Sequence, residues 1–353
     1  MTPDVRQLCV TKEVTIRKVM ECIDRGGHGI ALLLDDNDRF VRTITDGDVR
    51  RAILNGTNLD TAVEDVESLA FRKCVTAPVN TPRDVQIELM VNADIRHLPL
   101  LNRDGTVAEL AFSEEFIAPR VSMQAVIMAG GFGTRLKPLT DDTPKPMLPI
   151  GGKPLMERTI EGLQRAGIHR INVTTHYLPE KITRYFGSGD RFGVELNYFS
   201  EEQPLGTAGA LRMMDDTDEP MLVMNGDILT KVDFRSLLKF HQEHNAALTV
   251  AVRQYDVQVP YGVVEASGGY VRALKEKPRF DFLVNAGIYL LEPAARRLIP
   301  ESGRYDMTDL IDALLKNGDV VVGYPIMEYW LDIGRPDDFQ QAQKDVTERR
   351  WAA

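Results

Sequence analysis

A chain of 353 residues, 43% hydrophobic and 27% charged, has the length for two or three domains and enough apolar material to bury cores without covalent staples. Its 42 Lys and Arg against 52 Asp and Glu leave a formal charge of -10, which opposes binding to a nucleic-acid backbone by bulk electrostatics while leaving room for phosphorylated small molecules held by local groups. The three cysteines, Cys9, Cys22 and Cys74, are odd in number and lack CxxC spacing, residues 1–10 carry no apolar signal core, and no run approaches the 18 apolar residues of a membrane span; a disulfide framework, a zinc ribbon and membrane insertion are set aside, and a cytoplasmic protein is expected.

Residues 1–118 hold 14 basic and 20 acidic side chains, net -6, leaving -4 for the longer remainder. Within them a pattern recurs after about 60 residues: helix, apolar strand, polar turn, strand, helix start. In the first half these elements are predicted at 16–24, 29–34, 35–39, 40–45 and 48–54. In the second half they fall at 85–92, 98–101, 102–105, 107–112 and 114–117. The run Arg42-Thr43-Ile44-Thr45-Asp46-Gly47-Asp48-Val49-Arg50-Arg51-Ala52 resembles the CBS (cystathionine β-synthase) family, and the segment as a whole resembles a tandem CBS pair. That resemblance implies a regulatory or dimerisation module, and a homo-oligomer of at least two chains. It also implies an adenine-type nucleotide, with Thr45 suited to its phosphate and Asp48 to its ribose hydroxyls. The corresponding positions of the second half are Phe112 and Glu115, so at most one tight nucleotide site per chain is expected. A pair that serves only as a dimerisation platform is the alternative.

The join is placed at Ile117-Ala118-Pro119-Arg120, dividing the chain into a tandem CBS pair over 1–118 and a second domain over 122–353. Strands are predicted at 125–128, 171–174, 221–224, 248–252 and 286–291, with helices at 155–166 and 234–244 among those between them. Such alternation implies an α/β fold whose sheet is mainly parallel, with ligands outside the carboxyl ends of its strands. Met221 and Met224 belong to the core, and Trp330 to packing. His169, His176, His241 and His244 have no metal-ligand spacing; His241 and His244, three apart on a helix, are expected at the surface.

The first of these strands leads into Ala129-Gly130-Gly131-Phe132-Gly133-Thr134-Arg135, with Pro144-Lys145-Pro146 beyond. Glycines after a strand let backbone N–H groups approach a polyphosphate unhindered, and Arg135 and Lys145 supply cations to oxygens that gain charge as a phosphate is displaced. No GxGxxG opens a helix here and no Gly-Lys-Ser/Thr follows, which excludes a dinucleotide fingerprint and a Walker A loop. Further along come Glu201-Glu202-Gln203-Pro204-Leu205-Gly206-Thr207, Asn225-Gly226-Asp227, Tyr261-Gly262, Glu276-Lys277-Pro278, Asn285-Ala286-Gly287-Ile288-Tyr289 and Trp330-Leu331-Asp332-Ile333-Gly334.

In that combination and order, residues 125–340 resemble the sugar-1-phosphate nucleotidyltransferases. The resemblance implies a mixed, mainly parallel Rossmann-like sheet and Mg²⁺-dependent transfer of a nucleoside monophosphate to a sugar-1-phosphate, releasing pyrophosphate. It assigns catalysis to Arg135, Lys145, Asp227 and Lys277, and Mg²⁺ to Asp227 and Asp332. Ala129, Gly130, Gly131, Gly133, Thr134, Glu201, Gly206 and Thr207 would bind the nucleotide. Tyr261, Gly262, Glu276, Lys277 and Asn285 would bind the sugar phosphate. The Glu201 segment is most similar to guanylyltransferases, so GTP is the expected donor and Glu201 the reader of its base, with Glu202 the rival. A CBS pair ahead of such a domain resembles the glucosamine-1-phosphate guanylyltransferases of legionaminic acid pathways. Mannose- or heptose-1-phosphate guanylyl transfer, uridylyl or thymidylyl transfer to glucose-1-phosphate, and a nucleotide-sensing regulatory subunit remain open alternatives.

Overall fold

A computed structural model describes residues 5–66, 74–93, 95–112 and 121–348. The chain forms two compact units, 1–120 and 121–351. Among the described residues no helix is long and apolar enough to cross a membrane.

The first unit contains β1 (Cys9–Thr11), α1 (Ile16–Gly26), β2 (Ile30–Leu34), β3 (Phe40–Thr45), α2 (Asp46–Leu54), β4 (Ala77–Pro78), α3 (Arg83–Asn92), β5 (His97–Leu101) and β6 (Val107–Phe112). The repeat read from the sequence is present in the pairing itself. β1 runs parallel to β2 and β2 antiparallel to β3; β4 runs parallel to β5 and β5 antiparallel to β6. Each antiparallel pair carries a register shift near its end, at Leu33/Leu34 and at Leu100/Leu101. Ile16, Val19, Cys22 and Ile23 form the buried stripe of α1, the helical spacing of a core-facing surface. Leu110 of β6 packs with Ile30 and Leu32 of β2, so the two halves share apolar contacts. The predicted helix start at 114–117 and the predicted join at 117–120 lie outside the described residues.

The second unit continues with β7 (Gln124–Met128), β8 (Pro149–Ile150), β9 (Lys153–Pro154), α4 (Leu155–Arg165), β10 (Arg170–Thr175), α5 (Pro179–Phe186), β11 (Glu195–Ser200), β12 (Met221–Asn225), β13 (Ile228–Thr230), α6 (Phe234–Glu243), β14 (Leu248–Gln258), β15 (Val263–Ser267), β16 (Tyr270–Lys275), β17 (Arg279–Leu291), α7 (Pro293–Arg296), α8 (Met307–Asn317), β18 (Val321–Ile326), β19 (Trp330–Asp332) and α9 (Pro336–Thr347). Seven strands form one mixed sheet in the order β11-β10-β7-β12-β17-β14-β18. Only β17 runs against its neighbours in that order. Residues 124–127 of β7 are buried on both faces, as expected of a central strand covered by helices. Successive parallel strands β10 and β12 lie on opposite sides of β7, so the chain reverses direction across the sheet there and opens a crevice at the carboxyl ends.

Two expectations are corrected. His241 is not a surface residue: it is 1% exposed, with Nδ1 2.8 Å from Thr249 Oγ1 and Nε2 3.2 Å from Glu292 Oε1. With Phe234, Leu237 and Leu238 it completes an i, i+3, i+4, i+7 stripe that faces the core, and only His244 is exposed. The strands predicted at 248–252 and 286–291 extend to Gln258 and back to Arg279 as a ribbon pairing Tyr255 with Phe282 and Val257 with Phe280. Those apolar side chains stay exposed, so backbone pairing rather than burial extends the two strands.

Candidate active site

The crevice at the carboxyl ends of β7, β10 and β12 is a cleft of about 300 Å³. Close backbone approach builds its floor. Gly226 N donates to Met128 O at 2.9 Å, and a Cβ on Gly226 would stand 2.7 Å from that carbonyl. A Cβ on Gly130 would stand 2.9 Å from Glu201 Oε1, so the glycine makes room for a carboxylate over the loop. Gly133 turns with φ 63° and is closed by Thr140 Oγ1 donating to its carbonyl at 2.8 Å.

Glu201 follows β11 and is fixed at both ends. Its N–H donates to Thr175 O at 2.8 Å, and its Oε2 accepts from Leu205 N at 2.9 Å. Glu201 lines the cleft and Glu202, where the chain bends after β11, does not. His176, which the sequence reading passed over, also lines the cleft: its Nδ1 lies 2.6 Å from Glu201 O and its ring meets Phe132 edge-on. Its position just beyond the carboxyl end of β10 was the available signal.

The Gly206-Thr207 loop is clamped to the segment leading into α8. Tyr305 N donates to Leu205 O (2.8 Å), and Ala208 N and Gly209 N both donate to Tyr305 O. Thr207 N donates to Asp306 Oδ1 at 3.0 Å, while Met307 N donates to Thr207 Oγ1 at 2.9 Å. Asp306 also caps α8 in a box with Asp309. Arg304, held by Asp306 Oδ2 at 3.2 Å, reaches the same cleft. Neither Arg304 nor Asp306 was anticipated, although the Asp306-x-x-Asp309 box is legible as a helix start.

Asp227 and Asp332 are brought side by side by pairing of β13 with β19, which sets Ile228 opposite Asp332; Ile333 N then donates to Asp227 O at 3.0 Å. Beneath them Leu136, Leu148, Leu229 and Ile333 share one buried cluster, tying the Arg135 and Lys145 loops to both carboxylates. Lys145 is buried and donates to Asp227 Oδ2. Arg135 and Asp332 both border Gly334. Partial burial and then the charge of Asp227 push the Asp332 carboxyl above its ordinary pKa, against the pull of Lys145 and Arg135. Asp227 Oδ1 is buried without a hydrogen-bond partner. An oxygen-only set of two carboxylates, one with a bare buried oxygen, fits Mg²⁺, which keeps waters and takes substrate phosphates as its other ligands.

The remaining predicted residues divide. Ala129, Gly130, Gly131, Lys145, Glu201, Gly206, Thr207 and Asp227 line the cleft; Gly133, Thr134, Arg135 and Asp332 do not, although Gly133 backs onto Lys145 and Asp332 stands within reach of the charge of Asp227. Tyr261, Gly262, Glu276 and Lys277 are exposed on the excursion between β14 and β17 and do not line the cleft. There Gly262 lets Glu276 approach, and Lys277 adopts φ 44°. Asn285 also stands outside the lining, donating to Tyr289 OH at 2.8 Å and accepting from Gly287 N at 2.9 Å. In the first unit, Thr45 and Asp48 form the capping box of α2. Asp48 Oδ2 accepts from Thr45 N and Oγ1 (2.9 and 2.7 Å), and Oδ1 from Arg51 at 2.6 Å. Burial works to raise the Asp48 pKa, yet these bonds hold it below its ordinary value. Phe112 packs against His28 and His97; Glu115 lies outside the described residues.

Residues 124–349 match the model of the nucleotidyl transferase family and residues 1–55 that of the CBS domain. The mannose-1-phosphate guanylyltransferase catalytic subunit beta of Danio rerio is 33% identical over 226 residues, 62% of this chain and 62% of its own length. The UTP--glucose-1-phosphate uridylyltransferase of Synechocystis sp. is 34% identical over 248 residues, covering 64% of each. The chain thus spans a little under two thirds of the length of these curated relatives. Among solved structures, HddC from Yersinia pseudotuberculosis aligns with a TM-score of 0.51 at 28% identity, over 63% of this chain and 99% of that one. The family match covers well over half of the chain: the chain belongs to the nucleotidyl transferase family and carries a CBS domain at its N-terminal end.

Proposed function

We propose that the second unit transfers a nucleoside monophosphate from a nucleoside triphosphate, GTP before others, to a sugar-1-phosphate, releasing pyrophosphate. The observation that carries this reading is the order of groups along the cleft: a carboxylate on the Glu201 edge, a glycine loop beside it, and Lys145 with Asp227 at the other end. The attacking sugar phosphate is already an anion and needs no general base. The obstacle is repulsion: two unit charges about 4 Å apart oppose each other by roughly 4 kcal/mol at an effective dielectric near 20. Arg135 steadies the β- and γ-phosphates and the departing pyrophosphate. Lys145 holds the sugar phosphate in line with the α-phosphorus, and Lys277, which stands outside the cleft on the β14–β17 excursion, joins it only if that excursion folds over the bound sugar; positioning and counter-charge make up the catalysis. Asp227 and Asp332 would hold Mg²⁺, which supplies charge neutralisation at the phosphate oxygens.

Glu201 supports guanine. The N1–H and N2–H₂ groups of guanine are adjacent donors that one carboxylate accepts together. Uracil and thymine offer one N3–H flanked by carbonyl oxygens, and adenine and cytosine set a ring-nitrogen acceptor beside the amino group. Leaving such groups unpaired costs about 1–3 kcal/mol, roughly 5- to 150-fold in selectivity. Mannose-1-phosphate is named for the Danio relative; the CBS domain ahead of the catalytic unit makes glucosamine-1-phosphate the first acceptor to test here. In the first unit we assign one adenine-nucleotide site to Thr45 and Asp48, which a ligand reaches by sharing or displacing Arg51. A matrix of nucleoside triphosphates against sugar-1-phosphates, read by pyrophosphate release, tests the reading. Preference for UTP, dTTP or CTP over GTP overturns the base assignment, and no release with any pair overturns the reaction.

A further inference from the structure

The cation already on Asp227 has a consequence for how metal enters. Lys145 donates to Asp227 Oδ2 from a buried position, with the Lys side chain 11% exposed and the Asp side chain 22%. Around this contact stand three carboxylates, Asp227, Asp332 and Asp338, and two cations, Lys145 and Arg135. Two cations thus offset most of the negative charge of the cluster before any metal arrives. Among the described residues no group of three or more His, Cys, Asp or Glu is arranged to hold a metal ion. Asp227 and Asp332 suit Mg²⁺ alongside substrate phosphates, but with no phosphate present and one carboxylate neutralised by an ammonium they hold a hard, strongly hydrated divalent cation weakly. A nucleoside triphosphate changes that balance, because it brings its own oxygens and gives the Lys145 ammonium phosphates to move to.

We propose that Lys145 is a resident counter-ion of the metal site: it keeps free divalent cation off Asp227 until nucleotide binds, draws the ammonium to phosphate and frees Oδ2. The inference rests on the assignment of Asp227 and Asp332 to the metal. It adds to Lys145 a second role, in the order of binding. It also accounts for the bare Asp227 Oδ1, since the carboxylate keeps one oxygen open while the other is occupied by a replaceable cation.

The test is a Mn²⁺ titration of the full chain without nucleotide, following free Mn²⁺ by its electron paramagnetic resonance signal. Lys145→Met keeps the apolar stem and drops the charge, and Lys145→Arg keeps the charge. Expected are weak binding by wild type and Lys145→Arg, and binding at least tenfold tighter by Lys145→Met, equivalent to about 1.4 kcal/mol. Without metal, Lys145→Met leaves Asp227 and Asp332 facing each other with one cation fewer. Added Mn²⁺ should therefore raise its melting temperature by more than that of wild type. Equal or weaker Mn²⁺ binding by folded Lys145→Met, or wild type that binds free Mn²⁺ as tightly as that variant, overturns the proposal. If Lys145→Met does not fold, Lys145→Gln takes its place under the same criterion. Pyrophosphate release by wild type with unchanged Mn²⁺ binding in the variant removes only this inference. The expected Mn²⁺ pattern without turnover of any substrate pair removes the reaction reading and leaves the counter-ion in place.

Discussion

Gly206→Ala probes the nucleotide loop with a single methyl group. Gly206 has φ 84°, and a Cβ there would lie 2.5 Å from Tyr305 O and 2.7 Å from Asp306 Oδ1. A left-handed alanine alone costs about 1–2 kcal/mol. The contact is with backbone on one side and a capping carboxylate on the other, so neither neighbour yields by a simple side-chain rotation. Retreat of the loop weakens the bonds from Ala208 N and Gly209 N to Tyr305 O (3.0 and 2.8 Å) and from Thr207 N to Asp306. Each of these contributes about 0.5–1.5 kcal/mol. A total near 3 kcal/mol on the clamp corresponds to roughly a hundredfold loss of the loop's present geometry. Calorimetric binding of GTP should weaken at least tenfold while the circular dichroism spectrum stays that of wild type. The melting temperature should fall by no more than about 12 °C, given roughly 2–4 °C per kcal/mol for a unit of this size. A GTP affinity within twofold of wild type, with the variant folded, would refute the idea that this loop cradles the nucleotide.

Asp227→Asn and Asp332→Asn should each abolish most Mg²⁺-dependent pyrophosphate release while leaving the fold intact, because the amide keeps the shape and removes the charge; near-wild-type rates at low Mg²⁺ would remove the metal assignment. Glu201→Gln should lower kcat/KM for GTP about 5- to 150-fold and narrow the gap to UTP and dTTP, read from competition between nucleotides. In the first unit, burial and then the charge of His28 hold the His97 pKa down to about 4 from its ordinary 6.5. Its neutral form is thus the folded form, and its contribution is complete above pH 6.5 and lost as pH falls from there toward 4. The full effect is on the order of 3 kcal/mol. Urea unfolding midpoints of the full chain should fall below pH 6.5, and His97→Gln should flatten that acid limb.

Much of this protein was legible one residue at a time. The strands at 221–224 and 125–128 are apolar runs because central strands are covered on both faces, and their positions hold in the structure as β12 and β7. The repeat in the first unit was visible because each half must bury the same faces; its pairing, down to the register shift late in each second strand, follows the same plan. Gly130, Gly133 and Gly206 could be named from the sequence, and at each a Cβ would come within 3 Å of a neighbour, whereas Gly131 has open space around it. Local pattern also held information that went unused: His241 sits at the helical spacing of a buried stripe, and a polar residue there needs partners that only Thr249 and Glu292 supply. The convergence of the site was a different matter. Asp227 and Asp332 are 105 positions apart, and it is the β13–β19 pairing that sets them together. Glu201 faces the cleft because its N–H is held by Thr175 O where the chain leaves β11, and Asp306 entered through a hydrogen bond from a loop about 100 residues away, with Arg304 paired to it. Composition, periodicity and turn chemistry act over a few residues and so determined the elements and their glycines. Charge pairing across the cleft, and Lys145 seated on Asp227 above all, depends on distances that exist only once the sheet has brought its carboxyl ends together.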